Sequence, residues 1–89
     1  MNTLHLCHWQ NRQHFNEHLS LMSKLDTLVI YGSIGTEDIS WIRQNSLLQS
    51  HAWHLVKDQQ RPQNNHYPEI SNKQWLNMII KHKNTLAWK

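Results

Sequence analysis

Thr27-Leu28-Val29-Ile30-Tyr31 is an unbroken apolar, β-rich run with no polar face. A strand with one wet face alternates apolar and polar residues, so a run of this kind belongs to a sheet covered on both sides. The chain must therefore supply amphipathic elements for two layers, and it has 89 residues in which to do so. A chain of that length buries roughly 60–65% of its unfolded surface, so the length leaves room for one domain, residues 1–89, and no second core.

The flanking segments supply those layers. Leu4 to Trp9 alternates loosely and reads as a first strand, and Asn11 to Gln13 is polar and turns the chain. From His14 to Leu25 the apolar residues Phe15, Leu19, Leu21, Met22 and Leu25 share one arc at helical spacing, and His18 lies inside that arc. Gly32 and Gly35 bracket a turn. Thr36 then reads as an N-cap, with Glu37 and Asp38 in the first turn, where the helix dipole favours carboxylates. That helix should reach about Gln44 and carry Ile39, Trp41 and Ile42. Ala52 to Val56 reads as a third strand, Lys57 to Asn65 as a loop, and His66 to Ile70 as a short strand weakened by Pro68. Ser71 with Gln74 forms a capping box that opens a helix with Trp75, Leu76, Ile79 and Ile80 on one face. Thr85 to Trp88 closes the chain as a last short strand. Strands alternating with helices predict an α/β fold, a three-layer α/β/α sandwich around a small, mostly parallel sheet of four to five strands.

Composition excludes several function classes. The longest apolar runs fall far short of a membrane span, and the first residues lack the basic and apolar regions of a secretion signal, so a soluble, cytoplasmic chain is expected. Nine Lys and Arg against six Asp and Glu give a net charge of +3, spread along the chain with Lys81-His82-Lys83 as its one small cluster. A nucleic-acid binder concentrates its charge on one face, so no direct nucleic-acid contact is expected. One cysteine, Cys7, excludes an internal disulfide and a cysteine-rich zinc site. Within a strand pattern it reads as a small apolar filler.

Eight histidines invite a metal reading. His14 and His18 stand four apart on one helix and can face one ion, but no third ligand stands at a fixed offset. His5 with His8, and His51 with His54, are three apart on strands and point to opposite faces. No metal or other cofactor is expected. The segment Gly32-Ser33-Ile34-Gly35-Thr36 between strand and helix is similar to a phosphate-binding turn, yet lacks both the P-loop lysine and the three-glycine dinucleotide pattern. No nucleophile elbow or paired carboxylates suggest catalysis. Five tryptophans are many for so small a core, and Trp41, Trp75 and Trp88 each sit near an element end, where a partner surface and layer filling both account for them.

Taken together, Thr3-Leu4-His5-Leu6, the segment Asp26-Thr27-Leu28-Val29-Ile30 ending at Gly32, and the closing Trp75…His82…Leu86-Ala87-Trp88 resemble the TusB/DsrH family. These are the small H-type subunits of the DsrE/DsrF/DsrH sulfur-relay proteins. The resemblance spans nearly the whole chain, resting on pattern alone between about Ser33 and Ser50, and departs at Pro68 and in the Gln- and Asn-rich Lys57–Asn65 loop. It implies a three-layer α/β/α sandwich and a place in a heterohexamer with TusC/DsrF-like and TusD/DsrE-like subunits. Such complexes take persulfide sulfur from a small carrier and pass it toward 2-thiolation of the tRNA wobble uridine; related Dsr proteins serve sulfur oxidation. DsrH-type chains can carry a cysteine on the first helix, where His18 stands here, and TusB-type chains generally lack it. Persulfide transfer needs a thiolate, which imidazole cannot replace. The resemblance therefore implies a non-catalytic subunit, with His18, Trp41, Trp75 and Trp88 as its expected interface residues. Two alternatives remain: a stand-alone sulfur carrier using Cys7, and a small His-rich metal- or RNA-binding module.

Overall fold

The computed structural model describes residues 3–23, 25–45, 52–56 and 69–88. Its elements run β1 (Thr3–His8), α1 (Arg12–Leu19), β2 (Thr27–Tyr31), α2 (Thr36–Arg43), β3 (Ala52–Val56), β4 (Glu69–Ile70), α3 (Asn72–Lys81) and β5 (Asn84–Ala87). The five strands form one sheet in the order β4-β3-β2-β1-β5, and every neighbouring pair is parallel. The fold is α/β, as expected, and the sheet is parallel throughout.

The apolar run of β2 lies at the centre of this sheet. Leu28 and Ile30 join Cys7, Leu55 and the helix residues Phe15, Leu19, Ile39 and Ile42 in one buried cluster. Val29 joins Leu4, Val56 and Ile70 in a second, against which Trp75, Met78 and Ile79 pack. Alternate β2 residues thus feed opposite cores, with α1 and α2 over one face and α3 over the other. Successive crossovers step outward from β1 to β4, and α3 then carries the chain back to β5, beside β1.

Local differences from the sequence reading have local causes. Helix α1 opens inside the expected turn because the Asn11 side chain caps it, accepting from the His14 N–H at 2.7 Å. It stops at Leu19 rather than Leu25. The next N–H groups bond three residues back, Leu21 to His18 and Met22 to Leu19, and this tightening turns Leu21 and Leu25 out to solvent. The N-cap of α2 is Gly35, with no side-chain cap bond, and Thr36 is the first helical residue. Ser71 and Gln74 do form a reciprocal capping box on α3. The inward stripe of α3 is the partly buried Trp75, Met78 and Ile79, so Leu76 and Ile80, expected on the same face, point outward at 57% and 72% exposure. Strand β5 is an exposed edge, and Trp88 follows it. The expected Lys57–Asn65 loop, His51, and His66 to Pro68 lie outside the described residues.

Candidate functional site

Placement of histidines on β1 follows the period of two. His5 points into the α1/α2 face and is 2% exposed, whereas His8 stands on the other face, exposed and stacked on Tyr31. Tyr31 in turn packs on Trp75, with ring centroids 4.8 Å apart. His54, half-buried on that same side, is held below the ordinary histidine value by desolvation.

A buried imidazole among aliphatic neighbours needs partners for both nitrogens. His5 has them. Its Nε2 meets Asp26 Oδ2 at 2.8 Å, and the Trp88 indole N–H donates to its Nδ1 at 2.9 Å. An indole N–H can only donate, so Nδ1 accepts, and the ring proton lies on Nε2, where it is donated to Asp26. Asp26 also accepts from the Thr3 N–H at 3.0 Å and the Ser23 N–H at 2.8 Å. Burial by itself raises the Asp26 carboxyl, but the Ser23 and Thr3 backbone bonds and His5 together outweigh it and hold the group below its usual value. The chain Asp26–His5–Trp88 ties the start of β1, the approach to β2 and the residue after β5 into one buried network. It faces no solvent, and its chemistry is structural. Composition and spacing did not disclose it. The available signal was a histidine at an inward position of a strand, which demands a partner.

On α1, the His14 and His18 rings lie 4.2 Å apart, centroid to centroid. His18 Nδ1 donates to the His14 carbonyl at 2.8 Å, and the His18 ring stacks on Trp88 at 5.7 Å and 24°. His14 Nδ1 is buried without a hydrogen-bond partner. Arg12 anchors the first turn of α1 to α2, bonding Asp38 at 2.8 Å with its guanidinium over the Trp41 ring. Among the described residues, no group of three or more His, Cys, Asp or Glu side chains converges on one point.

Cys7 is fully buried in the α1/α2 core, and desolvation pushes its thiol up to about 12. A thiol so placed is protonated at neutral pH and shielded from solvent, and it fills space in the core. Gly32 adopts φ +98°, and a Cβ there would meet His8 Cδ2 at 2.6 Å, so the glycine serves the close approach of that ring.

The four expected interface residues do not form one patch. His18, Trp41 and Trp88 belong to the α1/α2 side, where Phe15 touches both indoles, while Trp75 packs on the opposite face. Trp88 is 5% exposed and is already covered within the chain. Trp41 and Trp75 are half-buried and keep part of their surface. The sequence reading missed the outer face of α3, where Leu76 and Ile80 stand between Lys73 and Lys81. No described helix is long and apolar enough to cross a membrane. Comparison of the chain with protein-family models, curated proteins and solved structures returned no match.

Proposed function

We propose that this chain is a non-catalytic subunit of a TusBCD-like sulfur-relay complex, assembled with TusC/DsrF-like and TusD/DsrE-like chains. Within it, persulfide sulfur moves toward 2-thiolation of the tRNA wobble uridine. The observation that carries the subunit role is α3, which is apolar on two faces. Trp75, Met78 and Ile79 cover the sheet, while Leu76 and Ile80 face outward uncovered. A helix that needs one apolar face for its own core gains nothing from a second unless another molecule covers it. The fold agrees with the α/β/α sandwich that the resemblance implies, and the buried Cys7 leaves the thiol chemistry to a partner. The same burial speaks against the stand-alone carrier.

Lys73 and Lys81 flank the apolar pair, and α3 contains no carboxylate, so the surface favours a partner that brings its own acidic residues. The test is recovery of the tagged chain from its own cytoplasm, followed by mass and identity of what accompanies it. Two small chains of the DsrE and DsrF type in equal amounts support the reading, as does loss of wobble thiolation on deletion. A chain recovered alone overturns it. Ile80→Glu leaves the fold within about 0.5 kcal/mol, as an exposed substitution should, and releases the partners.

A further inference from the structure

We propose that His14 and His18 bind one divalent transition-metal ion of the zinc, nickel and copper class, with water filling the remaining positions. The site stands apart from the relay reading and does not depend on it.

Three observations carry it. First, α1 puts the two imidazoles on one helix face four residues apart, the offset by which paired histidines clasp one ion, and their centroids are 4.2 Å apart. Second, His18 is oriented as a ligand should be. A carbonyl oxygen can only accept, so the bond from Nδ1 to the His14 carbonyl at 2.8 Å fixes the ring proton on Nδ1 and leaves the Nε2 lone pair open. Third, His14 Nδ1 is buried and has no hydrogen-bond partner. A polar atom so placed costs free energy. No described group accepts a proton from it, so that nitrogen has its lone pair uncommitted and can serve as a ligand.

His5 and His82 differ. Both nitrogens of His5 are engaged, by Asp26 and Trp88. His82 repeats the bond of His18, from Nδ1 to the Met78 carbonyl, but no other described imidazole stacks on it. Imidazole nitrogens suit zinc, nickel and copper, whereas magnesium and calcium take oxygen ligands. Two protein ligands rather than three or four leave the ion open to exchange and the affinity modest.

Trp88, stacked on His18, supplies a reporter. Titration of the full chain with Ni2+, followed by calorimetry and by quenching of tryptophan fluorescence, should show saturable binding of one ion. His14→Gln and His18→Gln should each weaken it at least tenfold, and the double variant should abolish it, while His82→Gln leaves it unchanged. Circular dichroism establishes that each variant is folded. Independently of any variant, Zn2+ added to the wild-type chain should shift the ring 15N resonances of His14 and His18. Absence of saturable binding, equal affinity in the folded double variant, or 15N shifts confined to other histidines would each overturn the proposal.

Discussion

Replacing Asp26 by Asn tests whether the Asp26–His5–Trp88 network holds the fold together. The carboxylate accepts three bonds: Thr3 N–H at Oδ1, and Ser23 N–H and His5 Nε2 at Oδ2. An amide keeps one oxygen. Turned toward Ser23 and His5, it presents its NH2 to the Thr3 donor; turned the other way, it opposes two donors. Either orientation orphans at least one buried or part-buried donor, at about 1–3 kcal/mol, and removes the charge assistance from the bonds that survive. The expected loss is about 2–4 kcal/mol, a large part of the roughly 5–15 kcal/mol available to a domain. In melting temperature this is a fall of roughly 10–25 °C. The loss has a pH signature. Because the folded Asp26 carboxyl lies below its usual value, the unfolded chain binds more protons near pH 4. The stabilisation is therefore present above the unfolded value and lost as pH falls through the folded one. Urea unfolding of wild type and Asp26→Asn from pH 7 to pH 3 should show a gap that is widest above pH 5 and narrows in acid. A gap under about 0.5 kcal/mol at pH 7, or one that stays constant down to pH 3, would refute the reasoning.

Further expectations follow from the same contacts. Cys7 should resist iodoacetamide in the native chain and react only as fast as the chain unfolds, because its thiol is buried and pushed up to about 12; stoichiometric labelling under native conditions would contradict this. Gly32→Ala should cost about 1–3 kcal/mol, since φ is +98° and His8 Cδ2 lies 2.6 Å from the added carbon. Gly35→Ala, with no atom within 4 Å, should cost far less in the same denaturation assay. Ser71→Ala removes one half of the α3 capping box and should lower stability by about 1 kcal/mol, seen as a shift in the urea midpoint with unchanged slope.

What the sequence discloses depends on the range of the interaction that decides it. The β2 run and the alternation of strands with helical arcs are set by burial on two faces, which repeats at fixed spacing, so the three layers and the parallel sheet are legible. The α3 start is legible because its cap is a local exchange between Ser71 and Gln74. The end of α1 is not. The arc continues to Leu25 on paper, but the chain after Leu19 is drawn into i−3 bonds and toward Asp26, a preference set by a partner on another strand. The outer α3 face fails for a related reason. Trp75, Leu76, Ile79 and Ile80 look like one stripe, and only the packing of Met78 on the sheet decides which side of it turns inward.

The Trp88 contacts are the least legible, because they join residue 88 to residue 5, and no pattern in the sequence spans that distance. They also explain how an exposed edge strand can be well placed. β5 buries none of its own four residues. Backbone pairing with β1 fixes its register, and the next residue anchors it: the Trp88 N–H donates to the Leu6 carbonyl at 2.8 Å while its indole donates to His5. One buried side chain outside the strand thus holds an edge that the strand's own side chains cannot hold. Trp88→Phe isolates that contribution. It keeps an aromatic ring in the core and removes the donor, leaving His5 Nδ1 unpaired at about 1–3 kcal/mol. If the anchor is as described, hydrogen exchange at the β5 amides should rise by more than in β2 at equal global stability. Equal acceleration in both strands would mean that Trp88 acts through the core alone.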